Sequence, residues 1–427
     1  MGKYRWTICG LVFFATTINY LDRAVISLLK STLSSEFIWS ETDYANIVVA
    51  FQLCYAIGLL GSGRIIDKLG TKLGYALSVA LWSIAAMAHA AAASTFGFLI
   101  ARGALGLSEG GNFPAAIKTI AEWFPKKERA LATGIFNSGS NIGAILAPLT
   151  VPFIVVQWGW QWAFIVTGLT GFIWLIIWAV VYEIPSKNKN LSSEEFSYIN
   201  SDSDENLLSE NANAPKFTWM QLLGFKQTWA FCIGKFLTDP IWWFYLFWLP
   251  DFLQKQYGLS STGVALPVAL AYTMATVGSI LGGWLPMYFI KKGWSVFRSR
   301  KTSMFIYACA VLPVVLAQYM GSFNMWFAVA VIGLAMAAHQ AWSANIYTTV
   351  SDAFPKTATA SVVGIGSMFG ALGSIAIAKS AGKLFDYFNT VHHPETGYLI
   401  MFLICSVAYV LAWFVMHLLM PEAKEIN

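Results

Sequence analysis

Apolar runs of about 20 residues, the length a helix needs to cross a hydrocarbon core roughly 30 Å thick, recur twelve times along the chain. Their approximate limits are 7–30, 42–63, 74–93, 95–120, 130–154, 160–182, 228–252, 262–290, 303–320, 325–349, 359–381 and 397–420. Short polar turns bearing Lys and Arg separate most of them, so the pattern predicts an all-α membrane protein. The longest interruption, 183–226, holds Ser192-Ser193-Glu194-Glu195, an Asp/Glu/Asn/Ser-rich stretch to Asn213, and then Pro215. Such a composition cannot bury a core and reads as a cytoplasmic linker. It divides the chain into a six-helix bundle at 1–182 and a second at 227–427.

Composition sharpens this reading. With 57% hydrophobic and 11% charged residues among 427, the polar surface is too small to solvate a globule of this size. Lys3 and Arg5 lead into a first run too long for a cleavable signal core, so the amino terminus is expected inside. Placing alternate turns inside puts 20 of the 27 basic residues there, as the positive-inside rule requires. Both termini are then cytoplasmic, in the inner (plasma) membrane. Outside fall only Lys30, Lys255 and Lys383, and within spans Arg23, Arg102, Lys235 and Lys379. The net charge of +5 thus reports topology rather than nucleic-acid binding. All five cysteines lie in apolar spans without metal-ligand spacing, so neither a disulfide framework nor a metal or other cofactor is expected. A membrane enzyme or a non-translocating receptor would need a catalytic cluster or a folded soluble domain, and the sequence offers neither. The protein is expected to work as a monomer.

The halves repeat at an offset of 230 residues. Phe124-Pro125-Lys126 matches Phe354-Pro355-Lys356, and Gly103, Gly134 and Gly143 match Gly333, Gly364 and Gly373. Duplicated bundles with a site between them are the expected result. After the second span comes Gly63-Arg64-Ile65-Ile66-Asp67-Lys68-Leu69-Gly70-Thr71-Lys72. A carboxylate at a tight basic turn can accept hydrogen bonds from a neighbouring helix end and lock the inward mouth, a gating role for Gly63, Asp67, Lys68 and Gly70.

An ionisable side chain at mid-bilayer costs about 2.5–3.5 kcal/mol on insertion scales, so each one needs a partner, a wet cavity or a task. Asp22 lies ~22 Å along the first helix from Thr7, and Arg23 points about 100° away from it. One can serve protons and the other an anion, for which the planar guanidinium fork is suited; alternatively both bridge to other helices. Arg102 and Glu109, two turns apart on one face, offer a carboxyl whose surroundings change as the bundle opens, or a permanent neutralisation of Glu109 or Asp22 by Arg102. Lys235 and Asp239 have i,i+4 spacing and can pair, while Pro240 frees a carbonyl. Trp242 and Tyr245 belong to an aromatic cluster that can stack on a sugar ring; Trp243 and Trp248 read as an interfacial belt. His339 lies 230 residues after Glu109 and either binds a ligand or a proton or is a hydrogen-bonded packing residue, with Gln340 and Asn345 nearby. Ser140 and Asn141 either line a cavity or join closely packed helices. Lys379 reads as snorkelling to the interface.

Asn19-Tyr20-x-Asp22-Arg23, Arg102-Gly103-x-x-Gly106-x-x-Glu109-Gly110 and the 63–72 segment together resemble the anion:cation symporter branch of the major facilitator superfamily. Lys235-Phe-Leu-Thr-Asp239-Pro240 and Ala338-His339-Gln340-Ala341 are similar to the hexuronate transporters, importers of glucuronate and galacturonate. The resemblance implies that Asp22 and Glu109 carry protons and that Arg23, with Tyr20 and Tyr55, binds the substrate carboxylate. Ser140 stands where galactonate carriers have Gln, as it does in hexuronate carriers. The function expected is proton-coupled uptake of a hexuronate by alternating access. Import of another organic anion, such as an aldonate or a sialate-like acid, and efflux by antiport are the alternatives.

Overall fold

The computed structural model describes residues 3–200, 217–354 and 356–421, and no strand occurs among the described residues. The chain divides into two compact units, Met1–Glu205 and Asn206–Asn427.

The first unit contains α1 (Tyr4–Leu28), α2 (Lys30–Phe37), α3 (Glu41–Leu69), α4 (Thr71–Ala88), α5 (Thr95–Glu109), α6 (Asn112–Trp123), α7 (Lys126–Trp158), α8 (Trp160–Val181) and α9 (Ser193–Ile199). Side chains that satisfy free N–H groups of the first turn set several starts. Asp43 N donates to Ser40 Oγ, and Ser40 N returns a bond to the Asp43 carboxylate, each at 3.0 Å, which opens α3; Ser94 caps α5 through Gly97 N. Helices α3 and α4 are separated by Gly70 alone, at φ 77°, a conformation that favours a residue without Cβ. The segment expected to be a gating loop is therefore mostly helix. Gly63 to Leu69 form the end of α3, and the turn shrinks to one residue, because an apolar stretch with good helix formers continues until the glycine stops it. Lys68 is exposed in that last turn, and the side chain of Asp67 lies outside the described residues.

Small residues bring the helices together. Helix α1 pairs mainly with α7, α3 with α5 and α4 with α8. A Cβ on Gly139 or Gly143 of α7 would stand 2.5 or 2.3 Å from the carbonyl oxygens of Phe13 or Thr17 on α1, so the closest approach depends on glycine.

The second unit contains α10 (Trp219–Leu223), α11 (Lys226–Tyr257), α12 (Ala265–Lys291), α13 (Val296–Val311), α14 (Ala317–Phe323), α15 (Met325–Ala353), α16 (Lys356–Thr390) and α17 (Pro394–Leu419). Its main pairings are α11 with α16 and α12 with α15, and a Cβ on Gly373 would stand 2.3 Å from the Phe236 oxygen. Of the repeated Phe-Pro-Lys motif, Pro355 lies outside the described residues.

Ten stretches among the described residues are long and apolar enough to cross a membrane. Exposed side chains such as Ile176 and Val180 suit contact with hydrocarbon, which accepts apolar groups but no unpaired backbone. The other two expected spans deviate for visible reasons. The run 95–120 is interrupted at Gly110-Gly111 into α5 and α6, of 15 and 12 residues. The run 228–252 does form within the 32-residue α11, yet Lys235, Asp239 and Asp251 make it more polar than its neighbours.

The expected linker 183–226 is also partly structured. Ser192 caps α9 through Glu195 N, and Glu195, only 1% exposed, accepts from Tyr4 N at 3.1 Å, Arg5 N at 3.2 Å and Arg5 Nη1 at 2.9 Å. Arg5 Nε donates to Glu128 at 2.8 Å, and Tyr198 OH donates to Glu128 at 2.9 Å. Composition hid this because the acidic α9 is held mainly by charge pairing at the start of α1, with Ile199 its one buried apolar side chain. Residues 201–216 of that segment lie outside the described residues.

Candidate functional site

Within the first unit, α1, α3 and α5 gather the charged residues singled out from the sequence. Gly106 makes this possible: a Cβ there would meet the Phe51 oxygen at 2.3 Å, so α5 lies directly on α3. The Phe51 ring then comes under both guanidinium groups, 5.1 Å from Arg23 and 5.3 Å from Arg102.

Arg23 Nη2 and Nε both donate to Glu109 Oε2, at 2.9 and 3.1 Å, and Nη2 also donates to Asn19 Oδ1 at 3.0 Å. Tyr20 and Tyr55 place their rings 4.6 and 4.7 Å from the guanidinium carbon. The cation is thus held by one carboxylate and three aromatic faces, a cation–π cage. Arg23 is 1% exposed and Glu109 0%; parting such a buried pair costs about 3–5 kcal/mol unless a new partner arrives. Arg102 does not neutralise Glu109 or Asp22 through an ion pair. Its Nη2 donates to the Arg23 carbonyl at 2.8 Å, bracing α1 at that residue. Asp22 and Arg23 do not pair with each other either.

Several buried polar atoms of these helices have no hydrogen-bond partner among the described residues: Glu109 Oε1, Arg102 Nε and Nη1, Asn19 Nδ2, and both side-chain polar atoms of Gln52. These groups form a buried polar cluster on α1, α3 and α5. Gln52 and Asn19 were not singled out as site residues. Gln52 lies one helical turn before Tyr55, which is the only signal the sequence offered for it. Of the remaining first-unit candidates, Ser140 Oγ donates within its own helix to the Asn137 oxygen at 2.7 Å, and Asn141 is buried beside it.

In the second unit, the i,i+4 pair forms as its spacing predicts. Lys235 Nζ stands 2.7 Å from Asp239 Oδ2 and donates to Tyr347 OH at 2.7 Å. Trp242 stacks on His339 with ring centroids 5.1 Å apart and planes at 12°. His339 Nδ1 is hydrogen-bonded to Tyr409 OH, and Tyr409 OH reaches the Thr238 oxygen at 3.3 Å. Tyr347 and Tyr409, neither of them a predicted site residue, therefore orient two that were. Tyr347 lies eight residues beyond His339, near enough to one helix face to have been suspected, whereas nothing in the sequence distinguished Tyr409. Asn345 Nδ2 donates to the Gly282 and Ala341 oxygens at 2.7 and 2.9 Å and joins α15 to α12. Tyr245 is 1% exposed, its hydroxyl beside the Cys405 thiol; Gln340 is partly exposed, and Lys379 exposed. Trp248 corrects the belt expectation: it is 1% exposed and stacks on Phe244 at 5.8 Å, because the expected belt position falls on an inward face of α11.

The sequence pattern of the Major Facilitator Superfamily matches residues 12–378. The chain is 36% identical over 384 residues to a hexuronate transporter of Escherichia coli, covering 90% of this chain and 88% of that one. It is 37% identical over 287 residues to a galacturonate transporter of Dickeya chrysanthemi, covering 67% and 83%. Among solved structures, an inward-facing bacterial homologue of the human lysosomal transporter Spinster aligns with a TM-score of 0.77 at 19% identity, over 98% of this chain and 97% of that one. A D-xylose–proton symporter aligns with a TM-score of 0.76 at 17% identity, over 99% and 100%; these two likenesses concern the fold. The chain therefore belongs to the major facilitator superfamily: it is a membrane transporter, not an enzyme, and a homologue of the hexuronate transporters.

Proposed function

We propose that the protein carries a hexuronate anion into the cytoplasm together with protons. The observation that bears most on this reading is the closed Arg23–Glu109 pair in its aromatic cage. A guanidinium already matched to one carboxylate is a receptor for another, provided the resident carboxylate is discharged. Protonation of Glu109 from outside does this: the neutral acid no longer competes, and the Arg23 fork takes the substrate carboxylate bidentately. Asp22 is the second proton carrier. It is 2% exposed, on the same helix as Arg23 and one position from it.

Hydroxyl recognition is assigned to Lys235, Asp239, Gln340 and Trp242, with Tyr245, His339, Asn345, Ser140 and Asn141 as the remaining contributors and Arg102 bracing the α1 backbone. Loss of the carboxylate's proton to the cytoplasm restores the Arg23–Glu109 pair and expels the substrate. Gly63, Asp67, Lys68 and Gly70 keep the proposed gating role at the end of α3. The names of the relatives, hexuronate and galacturonate transporters, support a sugar acid as the anion carried.

Purified protein in liposomes tests this. An acid exterior should accelerate uptake of labelled galacturonate, and Glu109→Gln should abolish accumulation while preserving exchange across the membrane. Uptake indifferent to a proton gradient refutes the coupling.

A further inference from the structure

Lys235 and Asp239 stand one helical turn apart on α11 (Lys226–Tyr257), and α16 (Lys356–Thr390) packs along that helix. Two glycines of α16 permit the approach. A Cβ on Gly370 would stand 2.3 Å from Asp239 Oδ2, and one on Gly373 would stand 2.3 Å from the Phe236 oxygen. The carboxylate is therefore set between its own helix and α16, 2.7 Å from Lys235 Nζ. The ammonium also donates to Tyr347 OH at 2.7 Å and lies 4.4 Å from the centre of that ring.

The two charges are not equally accessible. The Lys235 side chain is 4% exposed and that of Asp239 21%, so the neutral pair presents its negative member. A hydroxyl that reaches Asp239 can donate to it in a charge-assisted hydrogen bond. A carboxylate that reaches it meets like charge, which is strongly unfavourable away from bulk water. Lys235 cannot offset that repulsion, because its charge is already matched by Asp239 and its side chain is enclosed. The other cation within the spans of the second half, Lys379, lies nine residues beyond Gly370, about 13 Å further along α16.

We infer that Asp239 is a charge filter: it admits a sugar acid with one carboxylate and turns away one that carries a second. The inference rests on the sugar-acid reading above. Galactonate and galactarate test it, since they share a carbon chain and its hydroxyl configuration and differ at one end, hydroxymethyl against carboxylate. Each competes with labelled galacturonate for uptake by the full-length protein in liposomes. With the wild type, galactarate should compete at least about tenfold more weakly than galactonate, as one like-charge contact requires. In Asp239→Asn, which leaves Lys235 its charge, galactarate should become the better competitor. Lys235→Gln combined with Asp239→Asn leaves neither charge of the pair without its partner, and the two acids should then compete within about threefold of each other. Melting temperatures show which variants are folded, and if Asp239→Asn is not, the double variant decides. Equal competition by the two acids in the wild type, wild-type discrimination in a folded variant, or no competition by galactarate in any folded variant each overturns the assignment. Wild-type protein that takes up no galacturonate refutes the transport reading instead, and the filter is then read from the melting shifts that the same two acids produce in the three proteins.

Discussion

Replacing Arg23 with lysine separates charge from geometry at the proposed substrate carboxylate site. Lysine keeps the positive charge, so attraction to Glu109 survives, but one compact ammonium cannot reproduce a fork that places Nε and Nη2 on the same carboxylate oxygen while Nη2 also holds Asn19. It also cannot lie flat between rings 4.6 and 4.7 Å away. Losing one charge-assisted hydrogen bond costs about 1.5–3 kcal/mol, which at about 1.4 kcal/mol per decade is roughly a 10- to 140-fold loss of affinity. The same interaction is used on binding and throughout passage of the anion, so the loss should appear in KM with kcat little changed. Initial rates of galacturonate uptake into proteoliposomes at a fixed pH gradient give both constants, and a melting curve in the same detergent shows that the variant is folded. A folded Arg23→Lys protein with KM within about twofold of wild type would refute the idea that the guanidinium fork reads the carboxylate, since the predicted loss starts near tenfold.

If Asp22 and Glu109 each deliver one proton with a monoanionic uronate, every cycle moves one net positive charge inward. A potential of 100 mV, negative inside, then adds about 2.3 kcal/mol, or roughly 50-fold more accumulation; a potassium diffusion potential measures this, and a gradient independent of potential excludes two protons. Gly106→Ala introduces a Cβ 2.3 Å from the Phe51 oxygen and should destabilise the protein by about 1–3 kcal/mol while lowering transport; an unchanged melting temperature refutes the packing argument. Glu195→Ala removes the acceptor of Tyr4 N, Arg5 N and Arg5 Nη1 and should cost on the order of 3 kcal/mol, seen as a clear drop in melting temperature, whereas an unstructured linker predicts none. Glu183 is held below the usual carboxylate range by its hydrogen bond from Lys72. Its folded-state pKa is depressed, so its contribution is present above the unfolded value and fades as pH falls through the folded one. The pair is more than a third exposed at the carboxylate, so Lys72→Gln should remove only a few tenths of a kcal/mol, detectable as a flatter acid limb of melting temperature against pH.

The helices were legible because a span announces itself by length and apolarity, and the membrane leaves few other structures available. Where the reading failed, a local interaction outweighed composition. Gly110-Gly111 divides an apolar run, Arg5 orders an acidic segment through Glu195, and α3 runs through the motif at 63–69 to stop only at Gly70. In the site, intramembrane charge pointed to Asp22, Arg23, Arg102 and Glu109, since each is expensive enough to stand out. The neutral residues that hold the site stood out less. Asn19, which accepts from Arg23, and Tyr409, bonded to His339, are ordinary membrane-helix residues until their neighbours are known. The partner of Arg102 is a backbone carbonyl, which no side-chain pattern can name.

The duplication explains why fold and chemistry differ in this respect. At Gly143 and Gly373, 230 positions apart, an added Cβ would stand 2.3 Å from a backbone oxygen of the first long helix of the same unit; neither tolerates a Cβ, so the constraint persists in both copies. Glu109 and His339 have the same offset and no such constraint. Glu109 closes on Arg23, whereas His339 stacks on Trp242 and bonds to Tyr409. A close backbone contact admits one residue type and preserves the architecture of each half. A polar position facing its own bundle admits many, which lets one copy become an ion-paired carboxylate site while the other becomes an aromatic and hydroxyl cluster. Exchanging the two identities tests this division of labour: Glu109→His should eliminate proton-driven accumulation with the fold retained, whereas His339→Glu, lacking an arginine among its contacts, should not restore coupling when the two changes are combined. Recovery of accumulation in the double variant would show that the halves are chemically interchangeable and that the asymmetry argued here is incidental.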